Sequence, residues 1–111
     1  GLDSAPQYII VRNRDSNENW SCMLQYSYGG GEGYKSIYKL NTTEAYNLSN
    51  HAQWWQETAP TSDIFSIGTH DAVNKSGDKF IAYCFHSVTG YSKTSYYIGN
   101  SGTKFNNVGF K

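Results

Sequence analysis

The chain lacks an excess of charge of either sign: 9 basic residues stand against 9 acidic ones in 111. A nucleic-acid binder usually shows a basic patch, so a nucleic-acid partner is not expected. It also lacks any apolar run of about 18 residues, which excludes a membrane-spanning helix. No charged segment precedes an apolar stretch at the N-terminus, so no signal peptide is expected. The first residue is Gly1 rather than Met, which reads as a processed product or a piece of a longer polypeptide. Cysteine is scarce. Cys22 and Cys84 lie far apart and either close one long disulfide loop or remain two buried thiols, the second being the preferred reading. His51, His70 and His86 are widely spaced, with no Cys-x-x-Cys or His-x-x-x-His, so no metal is expected. Phosphate loops, nucleophile elbows and dinucleotide fingerprints are missing, and no cofactor is expected.

What is abundant is aromatic. Aromatic residues make up 16% and Tyr alone supplies 10, against a hydrophobic content of only 38%. Tyr suits strands and half-wet surfaces. The length fits one domain, 1–111, with a modest core. "YIIV" (8–11) reads as a strand. "WSCMLQYS" (20–27) alternates, with Trp20, Cys22, Leu24 and Tyr26 on one face and Ser21, Met23, Gln25 and Ser27 on the other, which predicts a half-buried strand. "YGGGEG" is a turn, and "YKSIYKLN" alternates again. From Thr42 to Ser62 the period lapses into a long loop with room for a helical turn between Thr43 and Trp55, stopped by Pro60. "DIFSIGT" predicts a further strand, and "HDAVNKSGDK" a turn-rich connector. "FIAYCF" (80–85) is apolar on both faces, which predicts a central strand covered front and back. "TSYYIG" and "KFNNVGFK" read as two last strands. The sum is an all-β fold, an antiparallel β-sandwich of jelly-roll or lectin-like type with six to eight short strands.

Few residues suggest chemistry. Cys84 and His86 share a face at i, i+2, but a thiol inside an apolar strand is quieted rather than activated, so packing is the default role. Asp71, Asn74 and Asp78, like Asp15 and Asn17, flank turns. Calcium would use such oxygens, yet Asx-turn chemistry accounts for them more simply. Glu32, Glu44, Glu57, Asp63 and Asp71 form no paired-carboxylate motif of a glycan-cleaving enzyme. The four Asn-x-Ser/Thr matches at Asn19, Asn41, Asn47 and Asn74 read as chance in so Asn- and Ser-rich a chain. Trp54 and Trp55 stand out. Neighbours in an extended segment point opposite ways, so one is expected to cover the core and the other to stand in solvent. There it would stack on a sugar ring or meet another protein. The preferred reading is nevertheless that both plug the open end of the sandwich.

In order along the chain, "APQYIIVRNRD", "YKLNTT", "WW", "TAPTSDIFSIGT" and "FIAYCFHSVTGYSK" followed by "YIGN" are similar to a domain of marine bacteriophage structural proteins, cyanophages among them. There it recurs in large tail-fibre-like or virion-associated proteins, often beside concanavalin-like lectin modules. The resemblance covers nearly the whole chain. It implies a non-enzymatic virion domain, in a tail fibre or other appendage, that attaches to host-surface glycan. The residues it would use are Trp54, Trp55, Tyr28 and Tyr34 in their loops. It also implies other virion subunits as partners, homo-oligomers included. A capsid decoration or assembly module holding virion subunits together is the alternative.

Overall fold

Tyr8–Asn13 forms β1, and the alternation Ile9, Val11, Asn13 buried against Tyr8, Ile10, Arg12 half-buried is why it lies in a sheet. A computed structural model of the chain describes residues 2–27, 31–45, 52–95, 97, 99, 101–103 and 105–108. Among these, three more strands follow: β2 (Ser21–Leu24), β3 (Tyr38–Lys39) and β4 (Phe80–Phe85). They make one antiparallel sheet in the order β3-β2-β1-β4. Two four-residue helices, α1 (Ala52–Trp55) and α2 (Asp71–Asn74), and two 3-10 turns (Gln25–Ser27 and Gly33–Lys35) complete the secondary structure. None of these helices is long and apolar enough to cross a membrane.

The register assigns every strand residue to a face. Ile9 sits opposite Met23 and Cys84, Val11 opposite Ser21 and Ala82, and Asn13 opposite Phe80. That face carries the core: Ile9, Val11, Met23 and Ile37 pack with Trp54, Trp55 and Val73, and Tyr34, Phe65, Ile67, Phe80 and Cys84 close its margin. The core therefore lies between one face of the sheet and a layer of short helices and extended chain.

The expected antiparallel sheet is present, and the fold is mostly strand with only short helices. Several finer expectations differ. The described residues hold four strands in one sheet rather than six to eight in two. "DIFSIGT" is not paired as a strand. Its alternation places Phe65 and Ile67 on the core, but its backbone bonds to α1, Gly68 N donating to Trp54 O at 2.7 Å. A covering segment and a strand share the same period. The "HDAV" connector contains α2, capped by His70, whose Nδ1 accepts from Ala72 N at 3.1 Å. Residues 105–108 are not in a strand, and Tyr96 and Ile98 of "TSYYIG" lie outside the described residues. Among the described residues strand β4 lies at the edge of the sheet rather than in its centre. Its two apolar faces are real, but whether a strand is paired on both sides depends on topology, which composition does not encode. The half-buried β2 is instead buried at Ser21, Cys22 and Met23, because it is one of the two central strands.

Cys22 and Cys84 are free thiols. They flank β1 opposite Ile10 and Ile9, which point to opposite faces. Two strand spacings, about 10 Å, and the sheet itself separate them. Burial pushes both thiols up. His86 directs Nδ1 to Ser4 Oγ and Ser87 O, both at 3.0 Å, so the geometry does not arm Cys84.

The oxygen-rich turn residues lock the β1 and β4 ends together. Asn13, fully buried, accepts from Asp15 N (2.9 Å) and Ser16 N (3.0 Å) and donates to Asp78 Oδ2 (2.8 Å). Ser16 Oγ also donates to Asp78, and Asp15 Oδ2 accepts from Lys79 N at 2.6 Å. The hydrogen bonds from Ser16 and then Asn13 hold the Asp78 carboxyl below its ordinary 3.8. A carboxyl depressed in the folded state stabilises fully above its unfolded pKa and loses that contribution as pH falls through the folded one. The wild type should therefore melt above Asp78→Asn at neutral pH. The gap should close as pH falls below the ordinary aspartate range. Melting curves of both proteins against pH check this, and a gap that persists in acid refutes it.

Candidate functional site

The second face of the sheet carries Tyr8, Ile10 and Arg12 of β1, Cys22 and Leu24 of β2, Tyr38 of β3, and Ile81, Tyr83 and Phe85 of β4. Ile81 is 39% exposed, Tyr83 43% and Phe85 48%. Tyr8 stacks on Phe85 with ring centroids 5.8 Å apart. Burial and the neighbouring Cys22 push the Tyr8 hydroxyl up to about 12. The one charged strand residue on this face, Arg12, lies over the Trp20 ring at 5.5 Å and donates to Glu18 O. The result is an open apolar face bounded by an edge strand, β4, that has no outer partner among the described residues.

The residues expected to bind ligand do not converge. Trp55 is 1% exposed and its Nε1 donates to Ser36 O at 3.1 Å, so it belongs to the core. Trp54 is 9% exposed and stacks on His70 with centroids 3.9 Å apart. Neither stands in solvent. The extended geometry that would oppose them is replaced by helix α1, in which neighbours are about 100° apart and both can turn inward. Tyr34 is half-buried against the core, with the Lys35 ammonium 5.9 Å from its ring. Tyr28 lies outside the described residues.

Trp54 nevertheless borders a cleft of about 180 Å³ lined by Glu18, Asn19, Ser21, Lys39, His70 and Ala72. Register brings Lys39 beside Ser21, and the α2 cap brings His70. Ser21 Oγ and Trp54 Nε1 are buried without a hydrogen-bond partner among the described residues. Lys39 Nζ is held by Glu44 at 2.7 Å. A larger groove of about 550 Å³ opens between Gln7, Tyr26, Ser87 and Thr94. Several of its polar groups bond to one another: Ser87 N and Oγ donate to Gln7 Oε1, Gln7 Nε2 donates to Tyr26 OH, and Thr94 N donates to Ser87 Oγ. Of the cleft residues, the sequence pointed to Trp54 as a binding residue; the others form no local motif.

A small antiparallel-sheet domain with one covered and one open apolar face is the class these features define. The whole chain, residues 1–111, matches the family model described as Domain of unknown function (DUF7483), and the chain belongs to that family. No curated protein and no solved structure matches it.

Proposed function

We propose that the chain is a non-enzymatic structural domain of a phage virion, in a tail fibre or other appendage, whose open sheet face is covered by a second copy of the chain. The virion setting rests on the sequence resemblance, and the subunit contact on the open face. Sheets apolar on both sides are normally covered on both sides. Here the second layer of the expected β-sandwich would come from the neighbouring copy. Tyr83 and Phe85, each close to half exposed, offer on the order of 100 Å² apiece, and the whole face on the order of 600 Å². Two copies would cover ~1,200 Å², the lower bound of a specific interface. Charge does not oppose the contact, because the chain carries no net charge and Arg12 is engaged with Trp20 and Glu18 O of the β1–β2 connection. Sedimentation of the wild type should show dimers or higher oligomers, and Tyr83→Lys should give a folded monomer whose melting temperature, unlike that of the wild type, does not depend on protein concentration. A monomeric wild type at high micromolar concentration, or an oligomer indifferent to Tyr83→Lys and Ile81→Lys, would count against this reading.

Attachment to host-surface glycan is a second reading. The observation favouring it is the polar cleft beside Trp54. A capsid decoration role would use the same sheet face and is told apart by where antibody labels intact particles.

A further inference from the structure

We infer that the groove beyond the C-terminal end of β4 binds an extended glycan segment through ring hydroxyls and a carboxylate, as an oligouronate offers. For its setting this rests on the attachment reading, but it places the glycan in this groove rather than in the cleft beside Trp54. Two lobes make the groove. The first, of about 550 Å³, lies between Gln7, Tyr26 and the loop that follows β4. The second, of about 380 Å³, lies between Tyr97, Phe105 and Asn106. Lys93, Ser95 and Val108 line both lobes, so the two are continuous. Each falls within the roughly 300–1,000 Å³ of small-molecule sites, and together they have room for more than one ring.

Charge selects the ligand. Among the described residues, no Asp or Glu lines either lobe, although the chain carries as many acids as bases. The one charged side chain in the lining is Lys93, and it stands where the lobes meet. It is exposed, and its ammonium donates to Asn107 O at 3.4 Å, a long bond that leaves further donors of the three for a ligand. An anionic group is attracted there and meets no like charge. The cleft beside Trp54 is the opposite case, since Glu18 lines it and Glu44 holds Lys39.

The rest of the lining suits sugar. Thr89, Asn106 and Asn107 are exposed, so their hydroxyl and amide groups are open to ring hydroxyls. Tyr26, Tyr97 and Phe105 line the groove at 39%, 69% and 94% exposure and offer flat apolar surface to the C–H faces of pyranose rings. A peptide strand would instead seek backbone partners along a sheet edge, and no residue of β4 lines either lobe. Hydrogen bonds hold the wall of the first lobe in place before anything binds. Val88 and Ser92 exchange backbone bonds, both at 2.9 Å, around Gly90 at φ 76°. Ser92 Oγ donates to His86 O at 3.1 Å, and Thr94 N donates at 2.9 Å to Ser87 Oγ, which is itself tied to Gln7. A wall already ordered loses little entropy on binding.

The test follows the backbone amide resonances of residues 87–95 during titration with tetramers of galacturonate, mannuronate, guluronate and glucuronate. The methyl ester of each tetramer keeps the sugars and removes the charge; tetraglutamate keeps the charge and removes the sugars. At least one tetrauronate should shift these amides at ~10 mM or below, and its ester should bind about fivefold more weakly. Lys93→Gln should weaken the acid by the same factor and erase its advantage over the ester. Lys79→Gln, which removes an equally exposed charge before the other end of β4, should bind as the wild type does. The inference is overturned if no tetrauronate shifts these amides, if ester and acid bind alike, or if Lys93→Gln changes nothing. Equal binding of tetraglutamate also overturns it and makes the groove a site for acidic peptide. A glycan array run on the same protein separates the two levels. Array binding that Lys93→Gln leaves intact defeats the groove and leaves attachment through another surface. No array binding, with no shift from any tetrauronate, defeats attachment as well.

Discussion

Replacing Trp55 with alanine is expected to destabilise the domain by about 3–5 kcal/mol. Domains of this size hold a total of roughly 5–15 kcal/mol, so much of the margin would go. The reason is the position of this one side chain. It is 1% exposed, the largest fully buried residue in the structure as described, and it packs on Ile9, Val11, Met23 and Ile37 from the sheet side. Its removal opens a cavity that α1, with only four residues, can collapse into only by giving up its contact with the sheet. The mutation also leaves Ser36 O without the indole hydrogen bond in a place closed to water. Denaturant titration monitored by circular dichroism measures the loss. A change below 1 kcal/mol would mean that Trp55 stands outside the core, as a ligand-stacking residue would. Glycan binding by any Trp55→Ala protein that remains folded should equal that of the wild type, which separates core from site.

The tryptophan pair shows what a sequence can and cannot reveal. "WW" in a polar loop was legible as an anchor, but the direction of each ring was not. That direction depends on whether the segment is extended or helical, and four residues carry too little periodicity to decide. Helix α2 carried little signal, because its N-cap is His70 rather than one of the usual Ser, Thr, Asp or Asn. Its brevity hid it in a turn-rich stretch. Strands β1, β2 and β4 were legible from alternation and β-branched content, whereas the position of β4 at the edge was not. Strand order arises from long-range pairing, here Tyr8 with Phe85 across most of the chain. The cleft shows the limit most clearly. Ser21, Lys39, Trp54 and His70 come from four separate segments. Only the β2–β3 register and the packing of α1 beside the α2 cap bring them together. The apolar residues of the second sheet face were all visible as strand residues. Their exposure was not, because exposure depends on what fails to pack over them.

A second large effect is expected at Gly68, where alanine should cost about 3 kcal/mol or more. The cause is steric alone, since Gly68 is not among the glycines of positive φ. An added Cβ would be driven into the backbone carbonyl of Gln53 and would stand 2.5 Å from Ala52 O. Both are main-chain atoms of the turn that presents Trp54 and Trp55, so no side chain can rotate away to relieve the clash. Backbone movement is opposed from three directions. Gly68 N donates to Trp54 O at 2.7 Å, His70 N donates to Gln53 O at 3.0 Å, and Asn74 Nδ2 donates to Gly68 O at 2.9 Å. Any shift that makes room must break one of these and carry the tryptophans away from the sheet or α2 away from its cap. Gly77 provides the internal comparison. It has φ of 85° and nothing within 4 Å of its would-be Cβ, so alanine there meets only backbone strain, about 1–2 kcal/mol. Thermal melts of the two variants should place Gly68→Ala well below Gly77→Ala, and about 10 °C or more below the wild type. The reverse order would mean that the loop before α2 does not approach α1 as closely as the Gly68 contacts require. In that case the wall of the cleft formed by Trp54 and His70 would lose its support as well.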